Sequence, residues 1–200
     1  MKKSLLILLM LLLSTLFACG KEQTTMNTNN NQNPIATITV KGYSEPLVVE
    51  LYYDVAPNTV RNFINLANKN FYNNSTFHRV IENFMIQGGI GSETTCTIAG
   101  EFSANGFTND LKHERGVISM ARTTVKNSAT SQFFIMHKDA PHLDGLYAAF
   151  GKLISGFETL DAIASVDTNR QDRPDVDVVI KSITVDTKGV KYEKPTCFSN

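Results

Sequence analysis

The chain has 200 residues, 42% of them apolar, 19% charged and 9% aromatic, a composition that supports one domain with a sizeable core. Its 19 basic and 19 acidic residues cancel to a formal charge of zero, so nothing points to an electrostatic partner such as nucleic acid. Binding has to come from local, shaped sites.

Lys2 and Lys3 precede an apolar run from Leu5 to Leu13, followed by Ser14, Thr15 and Leu16-Phe17-Ala18-Cys19. A spanning helix needs about 20 apolar residues, so residues 1–18 are expected to be a signal peptide removed on export. The stretch before Cys19 resembles the lipobox of bacterial lipoproteins, whose cysteine is acylated and becomes the new N-terminus, although Phe17 is bulkier than usual there. An ordinary secretory signal with a chance cysteine is the alternative. Acylation at Cys19 would attach the protein to the extracytoplasmic face of a bacterial membrane without spanning it, since two or more acyl chains anchor stably. Removal of residues 1–18 takes away two lysines and no acids, leaving 17 basic and 19 acidic residues and a formal charge of −2.

Residues 19–33 are polar and rich in Asn, Thr and Gln, which predicts a disordered tether. The domain is expected over 34–187, with 188–200 as a C-terminal tail. Ile35–Val40 and Leu47–Tyr53 read as strands of a hairpin turned through Gly42 and Pro46. Pro57 suits a first helical turn, and Val60, Phe63, Ile64 and Ala67 follow at helical spacing. Further strand-like runs are Phe77–Ile81, Phe84–Gln87, Val117–Ala121, Phe133–Met136, Ala148–Leu153 and Val178–Val185, with a second helix around Phe157, Leu160 and Ala164. Many short strands and two helices predict a mainly β fold, an antiparallel barrel or sandwich, and the pattern alone does not choose between them. Cys96 and Cys197 have no metal-ligand spacing; outside the cytosol they could oxidise to a pair, but with Cys197 in a flexible tail two unpaired thiols are the favoured expectation.

Phe77-His78-Arg79-Val80-Ile81-Glu82-Asn83-Phe84-Met85-Ile86-Gln87-Gly88-Gly89 places a permanent cation and an amide among aromatics and Met. It resembles the signature segment of cyclophilins. Three further blocks agree in order and approximate spacing: Gly116 to Arg122, Asn127 through Ser131-Gln132-Phe133-Phe134-Ile135, and Leu143-Asp144-Gly145 through Phe150-Gly151. Four ordered blocks over about Ile35 to Val185 are far more specific than one motif. The resemblance implies a closed eight-stranded antiparallel barrel with two capping helices, its lumen packed and its active site a groove on the outer face. The implied activity is peptidyl-prolyl cis-trans isomerisation, with proline-containing polypeptides as partners and the folding of exported proteins as the process assisted.

Rotation about an X-Pro bond needs no covalent intermediate, proton donor, metal or cofactor. A catalyst has to weaken the partial double bond that makes up the barrier of ~18–20 kcal/mol. Arg79 matches the family's catalytic arginine, whose donors stabilise the twisted amide. Gln87 and Gln132 match residues that hold the substrate backbone, and Phe84, Met85, Phe134 and Leu143 match the proline pocket. Ala121 and Arg122 match the groove before proline, where many eukaryotic members have asparagine at the second position. Taken singly, these residues would read as a surface ion pair for Arg79, an amide pair in the barrel wall for the glutamines, and core packing for the apolar set.

Tyr147 stands where many members place a histidine against the pocket, and His142 where cyclosporin-sensitive members carry tryptophan, a residue this chain lacks. Weak cyclosporin binding is therefore expected. Glu82 and Ile90 replace the usual proline and aspartate around the signature, and the loop between Met120 and Gln132 is one residue longer than in eukaryotic relatives, so the resemblance assigns nothing to Thr123–Ala129. His78 is expected to be structural, while His113 and His137 in loops have no assigned role. The chain is expected to act as a monomer. Two other readings stay open: a module that holds proline-containing segments without turnover, and a barrel lipoprotein carrying an apolar ligand.

Overall fold

The computed structural model describes residues 32–199; the proposed signal peptide, Cys19 and most of the tether lie outside the described residues. In chain order the elements are β1 (Ile35–Val40), β2 (Leu47–Leu51), α1 (Pro57–Asn68), β3 (Thr76–Ile81), β4 (Met85–Gly88), β5 (Val117–Met120), β6 (Phe133–Met136), β7 (Ala149–Ser155), α2 (Phe157–Ala164) and β8 (Val178–Asp186). Single 3-10 turns at Ser103–Asn105 and Pro141–Leu143 complete the list and carry no periodicity that a sequence could reveal.

The strands close into an antiparallel barrel in the order β1-β2-β7-β5-β6-β4-β3-β8. Closure decides between the barrel and the sandwich, and it removes every exposed sheet edge. The lumen is filled by Ala36, Ile38, Leu47, Val49, Phe77, Ile86, Ile118, Phe133, Ile135, Phe150 and Ile180, all fully or nearly fully buried. Apart from Ala36, full burial of side chains this size contributes about 1.5–3 kcal/mol each. Helix α1 lays Phe63 against Phe133 and Phe150, with ring centroids 5.5 and 5.4 Å away, and α2 adds Leu160 and Ile163 to the same core. Tyr72 is enclosed beside Phe63, and its hydroxyl donates to Ser131 O at 3.2 Å.

Strands β4, β5 and β6, with the first half of β7, bury side chains on both of their faces. Ile86, Ile118, Met120, Phe133 and Ile135 point into the lumen, whereas Met85, Val117, Phe134 and Met136 form a second apolar cluster with Ala140, Leu143 and Ala149. Alternate residues on one strand must point to opposite faces, so an unbroken apolar run such as Phe133–Met136 serves two cores at once.

Helix α1 opens with Pro57 at its first turn, and its N-cap, Ala56, has no side chain that could cap it. Glu101 does so from the long segment after β4. Its carboxylate accepts from Asn58 N–H (2.9 Å), Thr59 N–H (2.7 Å) and the Thr59 hydroxyl (2.7 Å), and the residue is 5% exposed. A buried carboxylate is tolerated here because the helix terminus offers it unpaired N–H donors and the positive end of the macrodipole.

Cys96 and Cys197 form a disulfide, contrary to the expectation of two free thiols, with Cα atoms 5.7 Å apart. The C-terminal tail is correspondingly held on the domain. Asn58 and Thr196 exchange two hydrogen bonds (3.0 and 2.8 Å), Phe198 N–H donates to Thr97 O at 2.7 Å, and Tyr192 packs edge-on to Tyr53. The bridge spans a sequence separation of 101 residues, a loop for which chain-entropy arguments give about 4.7 kcal/mol and native disulfides typically deliver 2–5 kcal/mol. Reduction, or Cys197→Ser, is expected to lower the melting temperature by roughly 5–15 °C for a domain this size. A calorimetric shift below about 2 °C would mean that the tail contributes nothing to the fold.

Candidate active site

The outer face of β3-β4-β6-β5 carries a row fixed by strand register. Arg79 lies opposite Gln87, Gln87 opposite Phe134, and Phe134 opposite Ser119. A β-bulge sets the start of this row. The β3–β4 register shifts between Phe77 and Arg79, so two residues, His78 and Arg79, fall between the lumen-facing Phe77 and Val80. The bulge keeps Arg79 on the outer face although it stands two positions after the inward Phe77, and it re-aims the side chain, a common use of bulges beside functional sites. Beyond Gln87 the chain leaves through Gly89 at φ +89°, where a Cβ would lie 2.8 Å from Ser131 O, so only glycine meets both the left-handed backbone and the close approach.

A groove of about 210 Å³ opens on this row, lined by Arg79, Phe84, Met85, Gln87, Ala121, Arg122, Phe134, Leu143 and Tyr147. Of the ten residues expected in the site besides Arg79, eight thus line the same cavity. The other two stand beside it: Gln132 accepts from the Gln87 side-chain amide at 3.0 Å, and His142 stacks on Phe84 with centroids 5.7 Å apart.

The apolar floor is built from Phe134 and Tyr147, edge to face at 5.8 Å, an arrangement preferred by aromatic quadrupoles. Arg122 has a more specific part than its position suggested. Its guanidinium lies 4.5 Å from the Tyr147 ring centroid and 5.0 Å from that of Phe102, and it donates to Leu146 O from Nε (3.2 Å) and Nη2 (2.7 Å). Its charge is therefore spent on stiffening the wall that Tyr147 forms. Phe84 is fixed by its backbone: its carbonyl accepts from His137 N–H at 2.9 Å, and Asn83 N–H donates to His137 Nδ1 at 2.9 Å. The other ring nitrogen of His137 then donates to Asp161, which Arg115 grips with two hydrogen bonds of 2.7 and 3.0 Å.

Arg79 Nε donates to Asp172 at 3.2 Å, with both side chains about two-fifths exposed. Nothing in the sequence had marked Asp172, which lies 93 positions away in the loop before β8. The sequence also gave no role to His113. Its side chain is fully buried, stacks on Phe134 at 6.0 Å, and lies between Asp144 (Nδ1, 3.2 Å) and Ser119 (Nε2, 3.1 Å). A carboxylate only accepts, so Nδ1 donates to Asp144 and Nε2 accepts from the Ser119 hydroxyl. Both partners fall in blocks singled out by resemblance, but the histidine that joins them does not.

Burial pushes the His113 ring below the ordinary histidine range, against the opposing pull of Asp144, and burial likewise lowers His78. For a histidine so depressed, the unfolded chain takes up a proton that the fold does not, so stability is lost as pH falls below about 6.5. Melting temperature is expected to drop between pH 7 and 5, and His113→Gln to remove part of that slope while leaving the share of His78. An unchanged slope in the variant would show that His113 does not titrate on unfolding.

The profile of the family described as cyclophilin type peptidyl-prolyl cis-trans isomerase/CLD matches residues 35–185. Peptidyl-prolyl cis-trans isomerase B of Escherichia coli is 40% identical over 154 residues, covering 70% of this chain and 93% of that protein. A peptidyl-prolyl cis-trans isomerase-like 2 of Rhizopus delemar is 42% identical over 139 residues; this chain spans only 26% of its length. Among solved structures, a cyclophilin type isomerase of Cryptosporidium parvum superposes with a TM-score of 0.69 at 31% identity, covering 77% of this chain and 97% of that one. That protein was also crystallised in the presence of the dipeptide Ala-Pro. The match over nearly all the barrel, the strand order and the outer groove agree, and the chain belongs to the cyclophilin-type peptidyl-prolyl cis-trans isomerase family.

Proposed function

We propose that the chain accelerates rotation about X-Pro peptide bonds in exported polypeptides, from a position tethered by a lipid at Cys19. The observation that carries the catalytic part is the groove itself: a cavity of about 210 Å³ with Arg79 on its wall beside Phe84, Met85, Phe134 and Leu143. That volume suits a proline ring, and the Ala-Pro dipeptide used with the Cryptosporidium relative is a ligand of this kind.

In this reading the ring sits against Phe84, Met85, Phe134 and Leu143, Gln87 and Ala121 meet the peptide backbone, and Arg79 acts on the amide. Twisting the bond localises the lone pair on nitrogen and leaves a more basic atom than the planar amide offers. A guanidinium that donates better to the twisted state than to either planar one lowers the barrier. Arginine is suited to this because it carries five donors in a rigid fork and stays charged. No proton is transferred, so His78 and His113 need no chemical part. The groove walls keep water away from one side of the amide, which strengthens each polar contact.

Arg79→Ala in the full-length chain, kept in mild detergent, is expected to lower kcat/KM for a proline-containing peptide by roughly 10²–10³-fold, the loss seen when one preorganised donor is removed. Its melting temperature should move little, because an exposed ion pair contributes about 0–1 kcal/mol. A wild-type protein that binds the peptide without accelerating exchange would turn the reading to a holding module. With His142 at the rim in place of an indole, cyclosporin should inhibit weakly; a nanomolar midpoint in the same assay would remove that expectation. For the anchor, fatty-acid labelling should mark the wild type and not Cys19→Ser, and a labelled variant or an unlabelled wild type would refute it.

A further inference from the structure

The loop between α2 and β8 is held in one conformation by its own backbone. Thr168 and Pro174 form an antiparallel bridge, Asn169 N–H donates to Arg173 O (2.9 Å), and Asp172 N–H donates to Asn169 O (3.0 Å). The Asn169 side-chain oxygen accepts from Gln171 N–H (2.9 Å) and Arg173 N–H (3.2 Å). At the apex Asp172 takes φ +61°, a left-handed conformation that Asp and Asn accept more readily than other side chains. The Asp172 carbonyl then accepts from Val80 N–H at 2.8 Å. This bond joins the loop to β3 at the residue directly after Arg79.

The carboxylate is thereby fixed on the backbone of the strand that carries Arg79, and it takes the Arg79 Nε–H at 3.2 Å. Among the described residues no hydrogen bond engages the two terminal amino groups of Arg79, whose side chain lines the groove. One donor of the fork is occupied from behind, and the four remaining N–H donors stay available on the groove side. An unanchored arginine samples many rotamers, and holding a reacting group in place is a large part of what an active site does.

We propose that Asp172 is a positioning residue for isomerisation, which sets the orientation of Arg79 by tying back its Nε edge. The inference rests on the reading of Arg79 as the catalytic residue. A carboxylate beside the arginine also opposes its positive field, but both side chains are about two-fifths exposed. Solvent screens the charge at that exposure more than it weakens the geometric restraint.

Two substitutions separate the carboxylate from the turn. Asp172→Gly keeps the left-handed backbone and removes the acceptor, whereas Asp172→Asn keeps both the backbone preference and an acceptor oxygen but loses the charge. Each is compared with wild type in the full-length chain, and again in an Arg79→Ala background. Asp172→Gly is expected to lower kcat/KM by roughly five- to twenty-fold, mostly in kcat, and Asp172→Asn by less. In the Arg79→Ala background neither should lower the rate further. The Arg79 Nε–Hε cross-peak should also shift and lose order in Asp172→Gly, a signature that a purely structural role would not move. Equal losses in both backgrounds, or a wild-type rate in Asp172→Gly while Arg79→Ala is impaired, would overturn the positioning role alone. A wild-type rate in Arg79→Ala would overturn the catalytic reading and this proposal together.

Discussion

The groove depends on the burial of both faces of β4, β6 and β5. Backbone hydrogen bonds fix the phase of these three strands relative to one another, and a slip of one residue would exchange the lumen set for the outer set. Ile86, Phe133 and Ile135 hold that phase from inside while Met85, Phe134 and Met136 hold it from outside. The row from Arg79 through Gln87 and Phe134 to Ser119 is a consequence of register, and its spacing is as rigid as the sheet. A site on strands rather than on loops obtains its precision this way.

Several residues satisfy two readings that the sequence left as rivals. Arg79 is in a surface ion pair and also lines the groove; Gln87 and Gln132 are an amide pair in the barrel wall at the groove's edge; Phe134 is nearly buried core and also the floor. The opposition was artificial because each side chain has more than one working surface. An arginine has a back edge and a front fork, and a phenylalanine has two faces, one of which rests on His113.

Local order was legible in the sequence, and long-range return was not. Period-3.6 spacing marked both helices, and alternation or short apolar runs marked all eight strands, with ends differing by a residue or two, as where β2 stops at Leu51 and β7 begins at Ala149. Closure, however, depends on β8 pairing with both β1 and β3, and no local pattern encodes a partner so distant. The same limit hid Glu101, which caps a helix 42 residues earlier, and Asp172, and the Cys96–Cys197 bridge. His113 escaped for another reason. It lies in an irregular segment without periodicity, and its burial comes from the tertiary approach of Asp144 and Ser119.

The bulge at His78 makes the length of the signature segment more important than most of its letters. A replaced side chain at this position leaves the phase of β3 intact, because the backbone still counts two residues between Phe77 and Val80. Loss of His78 would restore strict alternation with Arg79 still outward between Phe77 and Val80, but it would remove the local bend and added twist that a bulge gives its strand, and so re-aim the guanidinium across the groove. Divergence in this stretch should proceed by exchange of residues and avoid insertion or deletion.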